Sequence, residues 1–223
     1  MHLKRQIDQL KKRILTLGAM VEESVQNAIT SIQERDPDLA NKVFECDHLI
    51  DRSEVDIEEE CMHTLALYQP VAMDLRYVVA TLKINNELER IGDLAVNIAQ
   101  QAIYLSRFAR VDRVPFDLHG MTSTVKWMLA KSLDSLVNLD HDLANQVKER
   151  DDEVDNIHAT MYKRVEQAIR EDPELVQTYI HLLNVSRNLE RIADHTVNIA
   201  EDVIYMSQGD IIRHGRSRSI LEQ

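Results

Sequence analysis

Apolar residues recur at alternating steps of four and three positions along most of the chain, which is the spacing of one face of an α-helix. In two of the predicted helices, one in each half of the chain, this spacing forms a seam that would face neighbouring helices in a bundle. The seam residues are Ile84, Leu88, Ile91, Ala95, Ile98, Ala102 and Leu105 in the first half, and Val185, Leu189, Ile192, Thr196, Ile199, Val203 and Met206 in the second.

The four prolines of the chain each fall between two of these apolar-periodic segments. Proline suits the first turn of a helix, and an aspartate just before it can cap the helix, as in Asp36-Pro37 and Asp172-Pro173. The pattern therefore predicts six long helices joined by short turns. Their predicted ranges are 3–35, 38–67, 71–108, 118–138, 142–170 and 174–207.

The two halves of the chain also share long stretches of sequence. DLANKVFECDHLID (38–51) recurs as DLANQVKERDDEVD (142–155), and LERIGDLAVNIA (88–99) recurs as LERIADHTVNIA (189–200). Self-similarity over such distances indicates a duplicated structural unit. Because each copy spans three predicted helices, two copies would form two bundles rather than an extended array of repeats.

Composition supports a helical protein, since the chain has only 5 Gly, 4 Pro and 4% aromatic residues, and sheet proteins need turn, β-branched and aromatic residues. The predicted fold class is all-α, a tandem duplication of a three-helix bundle. We expect the first bundle in residues 1–110, the second in residues 117–208, and a flexible tail in residues 209–223.

The net charge of −12 disfavours binding to nucleic acid, which relies on clustered lysine and arginine. No stretch is long and apolar enough for a membrane span, and no signal peptide precedes the first helix, so a cytoplasmic protein is expected. Two basic segments near the ends run against the overall charge. They are either solvated termini or contacts for an acidic partner or a membrane surface. They contain Lys4, Arg5, Lys11, Lys12 and Arg13, and Arg213, Arg216 and Arg218.

Each half places like charges one helical turn apart, beside its apolar seam. A pair of this kind costs a few tenths of a kcal/mol when exposed, and more when it is partly buried. Two such stripes on adjacent antiparallel helices would converge into one carboxylate cluster if the handedness of the bundle turns them towards each other. The stripes contain Asp47, Asp51, Glu54 and Glu58 with Glu89, Asp93 and Asn97 in the first half, and Asp151, Asp155 and His158 with Glu190, Asp194 and Asn198 in the second.

A hard cation would reverse this repulsion, because carboxylate and amide oxygens suit Mg²⁺, Mn²⁺, Ca²⁺ or iron. The alternative is a pair of solvated acidic faces, or salt bridges within each bundle to Arg90 and Arg191. A third interpretation is a carboxylate-bridged di-metal enzyme, an oxidase or hydrolase, because an acidic residue followed three positions later by histidine is typical of di-iron bundles. That spacing occurs at Glu45/His48, Glu60/His63 and Asp155/His158.

Two longer segments carry a resemblance to a known family. PVAMDLRYVVATLKINNELERIGDLAVNIA (70–99) and NLERIADHTVNIAED (188–202) closely resemble the signature of the PhoU family, and LTLGAMVE (15–22) in the first helix adds to the likeness. The resemblance covers essentially the whole chain. It implies a fold of two similar three-helix bundles, in agreement with the repeat.

The resemblance also implies a function. Members of this family are cytoplasmic, often homodimeric regulators of phosphate uptake that dampen phosphate-starvation signalling, without catalysis. They act as adaptors between the ATPase subunit of a phosphate ABC transporter and a phosphate-sensing histidine kinase. The resemblance further implies metal ions, such as Mg²⁺, Mn²⁺ or iron, at the acidic motifs. The implied positions are Asp47, Asp51, Glu89, Asp93, Asp151, Asp155, Glu190 and Asp194, with Asn97 and Asn198 as additional candidates from their spacing.

Overall fold

The structure is a computed structural model that describes residues 2–108 and 114–208, with the backbone of residues 211–213 and 216–218. Within these ranges it confirms the all-α fold class and the six predicted helices. The helices are α1 (His2–Glu34), α2 (Pro37–Tyr68), α3 (Ala72–Leu105), α4 (Leu118–Asn138), α5 (His141–Glu171) and α6 (Val176–Gln208).

Two short strands follow α6, where the sequence predicted only a flexible tail. The strands β1 (Ile211–Arg213) and β2 (Arg216–Arg218) pair antiparallel, with Ile211 opposite Arg218. The three arginines of the C-terminal basic segment lie in these strands. The rest of the predicted tail lies outside the described residues.

Aspartates begin equivalent helices in the two halves, Asp36 as expected from the sequence and Asp140 at a position that the sequence analysis did not name. The expected cap at Asp172 is absent, since its side chain makes no cap hydrogen bond to the turn that follows it. Asp36 accepts hydrogen bonds from the backbone N–H groups of the first turn of α2, at 2.8 and 3.3 Å. Asp140 does the same for α5, at 3.1 and 3.0 Å. These caps satisfy N–H groups that have no partner within the helix.

Two helix ends differ from the sequence prediction. The α3 helix ends at Leu105 rather than at Phe108, where the Arg35 guanidinium donates to the carbonyl oxygens of both residues. Arg35, at the end of α1, thus supplies hydrogen-bond donors to two carbonyl groups that have no partner within α3. At the other end of the second half, residues Pro173–Leu175 form a 3₁₀ turn before α6 begins.

The helices pack in two groups of three, α1 with α2 and α3, and α4 with α5 and α6. The groups join through contacts of α3 with α6 and of α1 with α4, and one continuous hydrophobic core runs through both. Every residue of the two predicted seams is buried in this core or at its edge. None of the helices in the described part of the chain is both long and apolar enough to cross a lipid bilayer.

The contact between the two groups contains both a close approach and polar pairs. Gly18 of α1 lies against Leu133 of α4, where a Cβ atom on the glycine would come within 2.7 Å of the leucine Cδ2. Between α3 and α6, Lys83 Nζ lies 3.1 Å from Asp202 Oδ1.

Candidate metal centres

The acidic stripes of α2 and α3 face each other in the first bundle. Burial and the neighbouring Asp51 raise the pKa of Asp47, and the charge of Asp93, on the adjacent helix, adds to that rise. Burial and Asp93 likewise raise the pKa of Glu89, with a further contribution from Glu54 across the helix contact. These mutual effects require the carboxylates of both helices to lie near one another, which sequence periodicity alone left open.

The second bundle repeats this arrangement between α5 and α6. Burial raises the pKa of Asp151 to about 6, helped by Asp155 on the same helix and then by Asp194 on α6. Burial and Asp155 also raise the pKa of Asp194. The carboxylates of this cluster raise one another's pKa in spite of the nearby basic side chains, and a bound cation would add positive charge there.

Three side chains in the first bundle already converge at distances suitable for a metal ion. One ligand atom each from Asp47, His48 and Asp51 lies within 4.8 Å of the other two. His48 is exposed, and the sequence analysis named it only in the di-iron spacing Glu45/His48 and not in the acidic stripe. The signal that would have found it is its spacing, since it follows one stripe acid directly and precedes the other by three positions.

Two atoms of the second stripe are buried without a hydrogen-bond partner. They are Oδ1 of Asp151 and Nδ1 of His158. Such atoms normally pay a desolvation penalty, which a polar or cationic partner would remove. The donor set of each bundle, carboxylates with a nearby imidazole, therefore fits a divalent metal or iron.

The two asparagine candidates behave differently from the acids. Asn198 donates to Glu87 Oε2 at 3.0 Å, and the same oxygen lies 2.6 Å from His195 Nδ1. Burial opposes ionisation of Glu87, but the hydrogen bonds from His195 and Asn198 outweigh it and lower the pKa of Glu87. Asn198 thus takes part in the contact between the bundles, while Asn97 is half-buried on α3.

Other residues considered from the sequence make contacts outside the stripes. Arg90 is exposed, and its Nε donates to Asn86 Oδ1 at 3.0 Å, while its charge offsets part of the rise in the pKa of Glu89. Glu60 instead pairs with Arg13, with 2.8 Å between Oε2 and Nε, and shares an open cavity with His63. This glutamate and histidine therefore form a separate polar surface.

The fold and the facing stripes define a duplicated three-helix-bundle protein with a carboxylate cluster in each bundle. The family model for the PhoU domain matches residues 4–102 and 118–203, one match in each bundle. The chain belongs to the PhoU family, as its motifs suggested.

Two named relatives match over nearly the whole chain. The phosphate-specific transport system accessory protein PhoU homolog of Aquifex aeolicus is 37% identical, covering 96% of this chain and 96% of that protein. The homolog of the same name from Pseudomonas aeruginosa is 35% identical, covering 94% of this chain and 86% of that protein.

Solved structures show the same fold. The crystal structure of PhoU from Pseudomonas aeruginosa superposes with a TM-score of 0.89 at 34% identity, covering 92% of this chain and 99% of that one. The phosphate transport system regulatory protein PhoU from Streptococcus pneumoniae gives a TM-score of 0.84 at 26% identity, covering 94% and 98%.

Proposed function

We propose that this chain is an accessory regulator of phosphate transport. The observation that carries the proposal is the family match in both bundles, with named relatives at 35% and 37% identity over nearly the whole chain. In this proposal the protein works in the cytoplasm as a homodimer. It is a non-catalytic adaptor that links the ATPase subunit of a phosphate ABC transporter to a phosphate-sensing histidine kinase, and it represses the phosphate-starvation response.

The turn between α2 and α3 supports a role in binding another protein. Leu67, Val71 and Met73 are 74%, 75% and 69% exposed there, at one tip of the first bundle. A cluster of exposed apolar side chains on a charged protein is typical of an interaction surface. An adaptor needs such surfaces, whereas a self-contained enzyme does not.

Deletion and complementation test the adaptor role. In the host, loss of the protein should switch on a phosphate-starvation reporter in high phosphate, and the wild-type gene should restore repression. Leu67→Ser/Val71→Ser should fail to restore it while folding normally. Leu49→Ser/Val55→Ser, on exposed positions elsewhere on α2, is the matched control and should restore it. Unchanged reporter expression after deletion would contradict the proposal.

We also propose that the carboxylate stripes hold divalent or iron ions. The raised pKa values of Asp151 and Asp194 and the unpartnered Oδ1 of Asp151 support this. Bound cations would offset the repulsion within each stripe and brace α2 against α3 and α5 against α6. With open coordination positions they would also accept a phosphate oxygen, which would connect the centres to the regulated solute.

Elemental analysis of untagged protein tests the metal centres. Wild-type protein should retain metal through gel filtration, and Glu89→Gln/Asp93→Asn should retain less. Glu59→Gln/Glu149→Gln removes the same charge from exposed positions and should leave the metal content unchanged. Equal metal content in all three proteins would contradict the proposal for the first bundle.

The di-metal enzyme remains the alternative because of one observation. Asp155 and His158 have the spacing of di-iron bundles, and the Nδ1 of His158 has no hydrogen-bond partner. Iron-loaded protein that consumed oxygen with a visible oxo-iron band would favour this alternative. Iron-loaded protein without turnover would favour the adaptor.

A further inference from the structure

We propose that the apolar turn between α2 and α3 and the open cavity beside it form one docking surface for a partner protein. The partner that fits this surface presents an apolar patch with an arginine or lysine side chain next to it. The turn is the site that the proposed function assigns to a protein partner. This inference therefore rests on that function, and it adds the chemistry of the partner and a role for the cavity.

The apolar character of this turn is not a requirement of the fold, because the duplicated bundle has a turn of the opposite character at the same place. Leu67, Val71 and Met73 are 74%, 75% and 69% exposed in the first bundle. The turn between α5 and α6 instead exposes residues 171–174, which have the sequence EDPE. Exposed apolar side chains that the fold does not require are typical of a contact with a partner.

The cavity has a volume of about 420 Å³, lies between α1 and α2, and reaches the same turn. Leu67 belongs to both features, and Tyr68, which is 36% exposed, also lines the cavity. Carboxylates line it further from the turn, namely those of Asp56, Glu59 and Glu60. One continuous surface therefore passes from exposed apolar side chains to negative charge.

The negative charge of the cavity is only partly compensated. Three carboxylates and one guanidinium, that of Arg13, line it. The Arg13 Nε lies 2.8 Å from Glu60 Oε2, and its Nη1 lies 4.0 Å from Asp56 Oδ2. Within the part of the chain that the structure describes, Glu59 has no ion-pair partner. A basic side chain of the partner would pair with this glutamate, and the ring of Tyr68 is a further contact for a cation.

An anionic membrane fits the same surface less well. Lys4 and Arg5 are exposed beside Gln6, which lines the cavity, and they would attract such a membrane. However, Asp74 is exposed in the first turn of α3, and Glu59 is exposed in the cavity. Insertion of the turn among anionic headgroups would bring these two carboxylates against charges of the same sign. A protein with an apolar patch and a basic side chain complements both the turn and the cavity.

Binding measurements with the full chain test this surface. The probes are the purified phosphate transporter and the purified sensor kinase of the host, both in neutral detergent. Leu67→Ser/Val71→Ser should weaken binding to one of them by about tenfold or more, because it removes the apolar anchors. Glu59→Lys should weaken the same binding by about tenfold or more, because it places a like charge against the basic side chain of the partner. Glu59→Gln should have a smaller effect in the same direction.

Two matched variants control for the changes of charge and of apolar surface. Glu149→Lys reverses an exposed charge on α5, a helix of the other bundle that does not contact α2. Leu49→Ser/Val55→Ser removes exposed apolar side chains elsewhere on α2. Both variants should bind the probe as tightly as the wild-type chain does. Thermal melting of each variant establishes that it is folded.

Vesicles made of equal parts of phosphatidylglycerol and phosphatidylcholine test the membrane alternative. The wild-type chain should not sediment with them. Glu59→Lys separates the two cases by sign, because it weakens binding to a basic partner and strengthens binding to an anionic membrane. Sedimentation of the wild-type chain with the vesicles that Leu67→Ser/Val71→Ser abolishes and Glu59→Lys increases would overturn the inference in favour of a membrane surface.

The outcomes separate this inference from the proposed function. If neither the transporter nor the kinase binds the wild-type chain, the adaptor function and this inference fail together. If one of them binds, but Leu67→Ser/Val71→Ser or Glu59→Lys leaves its affinity unchanged, the adaptor function stands and only this inference fails. Weaker binding of both variants, with unchanged binding of both controls, supports it.

Discussion

Lys83 of α3 and Asp202 of α6 form an ion pair across the contact between the two bundles, with 3.1 Å between Nζ and Oδ1. The Asp202 side chain is only 4% exposed, and the Lys83 ammonium also lies 5.1 Å from the centre of the Tyr205 ring. Because the partners come from different halves of the repeat, the pair forms only when the bundles are assembled.

Replacing this lysine should weaken the whole protein. We expect Lys83→Met to lower the free energy of unfolding by about 2–3 kcal/mol, because it removes a cation from beside a buried carboxylate. For a chain of this size, that is a fall of about 4–12 °C in Tm. Lys131→Met removes the lysine of a more exposed pair with Asp134 and should shift Tm by less than about 2 °C. Equal shifts for the two variants would contradict the prediction.

Neutralising one acidic pair should have opposite effects with and without metal. In EDTA, Glu89→Gln/Asp93→Asn should raise the Tm slightly, since like charges one turn apart cost a few tenths of a kcal/mol. With Mn²⁺ at about one hundred times its Kd, the first centre of the wild-type protein should gain about 2.7 kcal/mol, which the variant lacks. Melting curves should therefore give the higher Tm to the variant in EDTA and to the wild-type protein in Mn²⁺. An identical response to Mn²⁺ would exclude these acids as ligands.

The stability of the metal-free protein should depend on Asp151 in a defined pH window. Its pKa is about 6 in the folded chain, against 3.8 ordinarily, so the folded state holds a proton that the unfolded state releases. Its contribution to stability therefore falls as pH rises between these values and stays low above them. Because the group is only half-buried, solvent screening reduces the effect to about 1–2 kcal/mol.

Asp151→Asn isolates this effect from the other acids of the chain. The variant should be more stable than the wild type at pH 7 in EDTA, and the difference should shrink towards pH 4. Urea unfolding midpoints at several pH values measure it. A difference that does not change with pH would show that Asp151 titrates normally.

The contact of α1 with α4 should be sensitive to a single methyl group. Gly18→Ala places a Cβ atom 2.7 Å from Leu133 Cδ2, and we expect a loss of about 1–2 kcal/mol despite the better helix propensity of alanine. Leu133→Ala removes the clashing atoms, so the double variant should be more stable than the sum of the single effects by about 1 kcal/mol. Additive effects would mean that the leucine moves aside freely.

Much of the fold could be predicted from local signals. Asp36-Pro37 begins α2, and the seam from Ile84 to Leu105 reports the buried face of α3, because capping and helical periodicity act over only a few residues. The end of α3 could not be predicted in this way. It depends on Arg35, which reaches the carbonyl of Leu105 from the end of a different helix.

The candidate site was predictable in its residues but not in its geometry. The spacing of Asp47 and Asp93 put each beside a seam, yet whether they meet depends on the handedness of the bundle, which is a property of the packed chain. The engagement of Asn198 by Glu87 depends likewise on how the two bundles pack together. His48 was considered only in the di-iron spacing with Glu45 and left out of the stripe, because an exposed position ordinarily indicates a solvated surface.

Because one continuous core runs through both bundles, we expect the chain to unfold as a single cooperative unit. If neither half can melt alone, the free energy of a cation bound in one half is added to the unfolding free energy of the other as well. A cation bound at either stripe would then make the unfolding of the apolar tip between α2 and α3 less favourable, without any movement of the backbone. If the stripes bind cations as proposed, the duplication of the bundle gives the protein two separate binding sites that both raise the stability of the whole chain.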